Sequence, residues 1–207
     1  MRPERIVAGD GGPAVTGVVL AGGRSRRFGR DKLKEPYRGR PLLHHAVERL
    51  LDVCDEVVVV LAPVADEPSM PTGVDVRFVR DAVQGQGPVA GALAGLRAVA
   101  EGWVVLAGGD MPDLQPGVLR EMLRAGRETG AVGVALSDGG EARPLPCVLS
   151  VGPAAEAVDA LLGTGRSSLR DLLRAVRTVV VDEPTWTALD PEHRTLVDVD
   201  EPGNVDR

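Results

Sequence analysis

Thirteen residues near the start of the chain, Leu20-Ala21-Gly22-Gly23-Arg24-Ser25-Arg26-Arg27-Phe28-Gly29-Arg30-Asp31-Lys32, concentrate glycines, a hydroxyl, arginines and a lysine. Glycine lets a backbone approach a ligand and turn its N–H groups inward. Arg and Lys bring charge that suits phosphate. The stretch follows the apolar run Val15 to Leu20, which reads as a buried strand, and a strand feeding such a loop is a place to hold a polyphosphate. Two other phosphate loops do not fit. A Walker loop needs G-x-x-x-x-G-K-[ST], whereas Gly23 and Gly29 are spaced too widely and Leu33 follows Lys32. A Rossmann fingerprint needs G-x-G-x-x-G, which the residues after Leu20 do not supply.

Acidic residues recur after apolar runs. Asp110, in Gly108-Gly109-Asp110-Met111-Pro112, follows Trp103 to Ala107. A carboxylate at a strand end, held between a glycine turn and a proline, suits Mg²⁺, which takes one or two carboxylates plus phosphate oxygens. The same residue type also serves as a turn or helix-cap residue, the reading given to Asp113. In Asp198-Val199-Asp200-Glu201-Pro202, alternation puts Asp198 and Asp200 on one side of an extended segment, where they repel unless a cation is near. A solvated acidic tail is the alternative. Arg80-Asp81 precedes Gly85-Gln86-Gly87-Pro88-Val89-Ala90-Gly91. There Gly87 permits close approach, and a helix starting near Pro88 offers N–H groups to an anion. A plain strand-to-helix turn has the same appearance.

The pattern L-A-G-G-x-S-x-R-x-G-x-x-K resembles the signature loop of the nucleotidyltransferases, and in particular the molybdenum cofactor guanylyltransferase family. Gly22, Gly23, Ser25, Arg27, Gly29 and Lys32 fall on it, with Phe28 where the family more often has Met. Gly109 to Pro112 is similar to the G-D-M-P segment with which the family holds magnesium, and Asp198-Val199-Asp200 to its C-terminal motif, in which Asp200 completes the metal site and Glu201 replaces Thr. Asp81 with the following Gly-Pro element resembles the family's nucleotide-contacting Asp. Arg143-Pro144-Leu145 and Gly165-Arg166-Ser167-Ser168-Leu169 are similar to segments lining the acceptor side, where Arg166 and Arg170 could meet the acceptor's phosphate. Arg170 also reads as a water-exposed helix residue.

The resemblance implies nucleotide binding by Leu20, Ala21, Gly22, Gly23, Ser25, Arg27, Lys32, Asp81, Gly87 and Asp110, catalysis by Lys32, Arg27 and Asp110, and Mg²⁺ held by Asp110 and Asp200. It further implies GTP as donor, the phosphate of molybdopterin as acceptor, and a transient partner that delivers the pterin. The family's Asn near the end of the second strand is missing from Val60-Leu61-Ala62-Pro63, and D-V-D also occurs in cytidylyltransferases, so CTP stays open as donor. Transfer to another phosphate acceptor and a noncatalytic nucleotide-binding module are the remaining alternatives.

The elements that must position these residues alternate. Strands are expected at Val15–Leu20, Val57–Leu61, Val74–Val79, Trp103–Ala107, Ala131–Leu136 and Leu145–Val151, with shorter ones at Val179–Val181 and Leu196–Val199. Helices are expected from Pro41, as a first helical residue, to Asp52, and at Val89–Ala100, Val118–Thr129, Pro153–Leu162 and Ser167–Val176. Such alternation predicts an α/β fold, a three-layer α/β/α sandwich around a mainly parallel, Rossmann-like sheet. The resemblance specifies the nucleotide-diphospho-sugar transferase type. Ligands of such sheets sit beyond the C-terminal strand ends. Residues 1–14 read as a loose leader and 15–207 as one domain.

The balance of 24 basic against 30 acidic residues argues against nonspecific nucleic-acid binding, and 2% aromatics leave little for base stacking. No apolar run approaches the roughly 20 residues of a membrane span, and no signal core opens the chain, so a cytoplasmic location is expected. Cys54 and Cys147 read as packing residues. His44, His45 and His193 are given no catalytic role.

Overall fold

A computed structural model describes residues 13–22, 32–81 and 87–199, with the side chain of Lys32 left out. The order is β1 (Val15–Leu20), β2 (Pro36–Tyr37), β3 (Arg40–Pro41), α1 (Leu42–Leu51), β4 (Glu56–Leu61), β5 (Arg77–Arg80), α2 (Pro88–Arg97) and β6 (Trp103–Gly108). There follow α3 (Pro116–Thr129), β7 (Gly133–Asp138), β8 (Glu141–Ser150), α4 (Val151–Gly163), α5 (Leu169–Ala175), β9 (Thr178–Val181) and α6 (Glu183–Thr187). Seven strands form one sheet in the order β5-β4-β1-β6-β8-β7-β9, and β2 pairs with β3 in a separate hairpin. Every neighbouring pair in the large sheet is parallel except those made by β8, which runs antiparallel to β6 and β7.

The near-continuous apolar runs of β1, β4 and β6 follow from burial on both faces. Val19, Val59 and Val105 point to the layer holding Leu43, Val47 and Leu50 of α1, Leu119 and Met122 of α3, and Trp186 of α6. Val18, Val58, Val104 and Leu106 point to the opposite layer, with Val89 and Leu96 of α2, Val158 of α4 and Leu172 of α5. This is the expected three-layer α/β/α arrangement. Helix α2 lies close on β1: a Cβ at Gly95 would come within 2.4 Å of Val18 Cγ1. That contact explains glycine where it costs about 1 kcal/mol of helix propensity. Both cysteines are buried, as read from the sequence, and desolvation raises their thiol pKa values, that of Cys147 to about 12.

Four expectations are corrected. The third strand spans Arg77–Arg80 rather than Val74–Val79. Pro41 is extended (φ −53°, ψ 140°) and precedes α1, because it pairs with Pro36 in the hairpin. Leu196–Val199 joins no ladder; the Asp190 carboxylate accepts the N–H groups of Arg194 (3.1 Å) and Thr195 (2.7 Å) and curls Arg194–Leu196 into a 3-10 turn. Strand β8 begins at Glu141, before the expected Leu145. Its two prolines hid this start, since proline cannot join a ladder mid-sheet. They sit in a bulge: Cys147 opposes Ala135 and Ala142 opposes Ser137, so residues 143–146 stand against Leu136 alone.

Candidate active site

Strand register fixes the site. Leu20 pairs with Val60 on one side and Gly108 on the other, and Leu61 pairs with Arg80, so β5, β4, β1 and β6 end along one edge. The pairing continues past the strands. Ala21 N–H donates to Val60 O (2.8 Å), Asp81 N–H to Leu61 O (2.9 Å) and Gly109 N–H to Leu20 O (3.1 Å). Asp81, Ala62, Ala21-Gly22 and Gly109-Asp110 thus lie side by side in that order. Asp81 and Asp110 are three strand spacings apart, about 14 Å.

Gly22 passes close to β4: a Cβ on it would stand 3.3 Å from Ala62 N. Of the phosphate-loop residues, Leu20, Ala21, Gly22 and the backbone of Lys32 are described. Gly23, Ser25, Arg27 and Gly29 lie outside the described residues, as does Asp200. Lys32 opens a 3-10 turn through Lys34, and the Leu33 side chain packs on Gly109, where a Cβ would lie 3.0 Å from Leu33 Cδ2. The end of the cationic loop and the start of the acidic one therefore meet.

Asp110 is held from both directions. Its Oδ1 folds back over the strand end, to 2.3 Å from where a Cβ on Gly108 would be. Its carbonyl accepts the Val199 N–H (3.0 Å), which brings the C-terminal stretch alongside. Val199 is buried with Tyr37 and Leu42, whereas Asp198 is exposed. A carboxylate seated in a cradle that a Cβ would fill, at the end of β6 beside the end of β1, fits a hard cation. Among the described residues no three His, Cys, Asp or Glu side chains cluster as a metal site. The cradle makes its own test: Gly108→Ala should displace the carboxylate and leave the fold, since only a side-chain tip must move. We expect a loss of turnover of about 10²-fold with a melting temperature within about 3 °C of wild type, read by steady-state kinetics and calorimetry.

Gly87 precedes α2 at φ +80°, and no side-chain hydrogen bond caps that helix. A Cβ on Gly87 would come within 2.9 Å of Ser167 O, so the segment carrying Arg166 abuts the front of α2. Ser168 Oγ caps α5 by accepting the Arg170 N–H (3.2 Å), and Arg170 reaches Glu141 at 3.4 Å. The β8 bulge stands beside the C-terminal end of β6, because β6–β8 pairing ends at Leu106–Cys147. There Arg143 Nη1 is 3.6 Å from Asp138 Oδ2, and its buried Nε has no hydrogen-bond partner among the described residues. His44 and His45 bond carbonyls of Ser69 and Tyr37, and His193 packs edge-on to Trp186.

Sequence reading missed two contributors. Asp113, taken as a turn or cap residue, is buried and accepts from Tyr37 Oη at 2.6 Å and Arg38 Nη1 at 2.9 Å. Tyr37 was not singled out, because nothing local links it to a residue so distant along the chain.

Residues 17–180 match the family described as a MobA-like NTP transferase domain. The chain belongs to this family. A "probable molybdenum cofactor guanylyltransferase" of Mycolicibacterium paratuberculosis is 35% identical over 181 residues, covering 84% of this chain and 89% of the relative. One of the same name from Mycobacterium tuberculosis is 38% identical, covering 84% and 87%. Among solved structures, molybdopterin-guanine dinucleotide biosynthesis protein A of Archaeoglobus fulgidus superposes with TM-score 0.75 at 22% identity, covering 93% of this chain and 95% of that one. The 2-C-methyl-D-erythritol 4-phosphate cytidylyltransferase of Thermus thermophilus superposes with TM-score 0.66 at 18% identity, covering 91% and 94%. Both share the α/β fold, and family membership makes the chain a MobA-like nucleotidyltransferase.

Proposed function

We propose that the protein transfers GMP from GTP to the terminal phosphate of molybdopterin and releases pyrophosphate. The reading rests on one observation above all, the alignment of Asp81, Gly22 and Asp110 along a single strand-end edge with Leu33 closing the gap to Gly109. The names of the relatives supply the donor and acceptor classes. An oxygen of the acceptor phosphate forms the new bond to the α-phosphorus, the α–β bridging bond breaks, and its electron pair leaves with pyrophosphate. The attacking phosphate is already ionised at neutral pH, so no general base is needed.

Catalysis is then positioning and electrostatics. Backbone N–H groups of Gly22, Gly23 and the residues after them cradle the phosphates. Arg27 and Lys32 offset charge on the α-phosphate and on the leaving pyrophosphate. Asp110, with Asp200, would hold Mg²⁺, which when bound neutralises phosphate oxygens. Asp81 meets the nucleoside, and the first-turn amides of α2 behind Gly87, which no side chain among the described residues caps, are assigned to an anion. Arg166 meets the acceptor phosphate. We assign the reaction to the cytoplasm; among the described residues no helix is long and apolar enough to cross a membrane.

One observation leaves room for a second donor. At the β4 end, Ala62 and Pro63 offer no side-chain hydrogen-bonding group to a base, so guanine would be read by backbone and by Asp81, and cytosine remains a competitor. Pyrophosphate release measured with each of the four ribonucleoside triphosphates, with and without purified molybdopterin, tests both. We expect acceptor-dependent release with GTP. Preference for CTP would overturn the guanine assignment, and no release with any triphosphate would leave a binding module.

A further inference from the structure

The hairpin that follows Lys32 is held by a polar contact buried between distant parts of the chain. Tyr37 is 4% exposed and Asp113 6%, and the Tyr37 hydroxyl donates to Asp113 Oδ2 over 2.6 Å. Burial and the neighbouring carboxylate raise the Tyr37 pKa, so the phenol keeps the proton it donates. Arg38 closes the other carboxylate oxygen, Nη1 to Oδ1 at 2.9 Å, while its Cζ lies 4.8 Å from the Tyr37 ring centroid. Arg38 and Gly39 are the two-residue loop of the hairpin, and both lie at positive φ, +47° and +78°, as a tight β-hairpin turn requires. A non-glycine residue there is disfavoured and persists where its surroundings hold it. The His45 ring donates to the Tyr37 carbonyl (2.7 Å) and meets the phenol edge-on.

The other end of the contact belongs to the acidic loop. Asp113 lies three residues beyond Asp110, and its carbonyl accepts the Gln115 side-chain N–H at 2.8 Å. Gln115 N–H in turn donates to Thr195 Oγ1 (3.1 Å), and Val199, bonded to the Asp110 carbonyl, packs on Tyr37. Three segments are thereby locked together: the one that starts at Lys32, the one that carries Asp110, and the one that leads to Asp200. A phosphate-transfer site gains or loses large factors in rate from sub-ångström placement of such groups.

We propose that Tyr37 and Asp113 are positioning residues for nucleotidyl transfer, their buried hydrogen bond setting the distance between the Lys32 segment and the Asp110 loop. The inference rests on the transfer reading above. Neither residue touches the reacting atoms; both act through the groups they hold. The pair behaves as a unit, because removing either partner takes away the bond at Tyr37 Oη and Asp113 Oδ2 alike, while Arg38 keeps only the other carboxylate oxygen.

The test uses the full chain with Tyr37→Phe, Asp113→Asn and the double variant, assayed by pyrophosphate release with the triphosphate that the wild type prefers. Each single variant should lower kcat at least about 10-fold with KM for the triphosphate within about threefold. The double variant should be no worse than the weaker single one. Amide exchange without nucleotide should quicken at residues 33–37 and at 109–115 together, a readout independent of activity. Arg38→Gln, at a side chain 48% exposed, removes the outer contact without opening the core and should give a smaller kcat loss with the same signature. An active wild type whose variants keep kcat within twofold, lose it multiplicatively, or change only KM would overturn the positioning role and spare the transfer reading. A wild type that releases no pyrophosphate from any triphosphate would overturn both.

Discussion

Asp110→Ala is expected to lower turnover at least about 10³-fold, roughly 4 kcal/mol of transition-state stabilisation, and to leave the protein folded. The activity loss follows from where the carboxylate stands, at the end of β6 between the phosphate-loop strand and the bulge of β8. The intact fold follows from the backbone. The bond that ties the C-terminal stretch to this loop is made by the Asp110 carbonyl, which alanine keeps. Calorimetry should find the melting temperature within about 3 °C of wild type, and excess Mg²⁺ should not restore the rate. A variant that turns over at near wild-type speed would remove Asp110 from the chemistry.

Lys32→Ala carries the next largest effect, about 10² to 10³-fold in kcat. The ammonium is assigned to charge that grows on the leaving group, so its removal should act on kcat more than on KM. The backbone at this point is fixed by the Leu33 contact with Gly109 and by the hairpin behind it, so the substitution deletes a charge and leaves its anchorage in place. Lys32→Arg should recover part of the rate, because it restores the charge with a planar, forked head in place of a compact one. Full activity in the alanine variant, measured under saturating triphosphate, would sink the assignment.

The residues that position the site differ in how far they can be read from sequence. Strands β1, β4 and β6 were legible because burial on both faces leaves continuous Val and Leu runs, and the strand-end position of Asp110 was legible from the run of β6; the half-exposed β5 ahead of Asp81 carries a weaker signal, and its start was misplaced. The start of β8 was not, because Pro144 and Pro146 carry the opposite local signal, and only the pairing of Ala142 with Ser137 reveals a strand on both sides of a bulge. The C-terminal stretch alternates like a strand, yet just ahead of it the Asp190 carboxylate takes the amides of Arg194 and Thr195 and turns the chain, a side-chain contact that hydropathy alternation does not report. Tyr37 and Asp113 show the same limit most clearly. Each is unremarkable among its neighbours in sequence, and their contact exists because the segment leading into the hairpin packs through Leu33 on Gly109, just past the end of β6.

The order β5-β4-β1-β6 also has a consequence for synthesis on the ribosome. Val15 is the partner of Trp103, so the first strand made keeps one bare edge until roughly 90 further residues emerge, about 5 to 20 seconds at ordinary elongation rates. Until then the nascent β1 offers a row of unmatched amides and valines to any passing extended peptide. Holding factors at the exit tunnel would act most strongly in that interval, and translation slowed just before codon 103 would lengthen it.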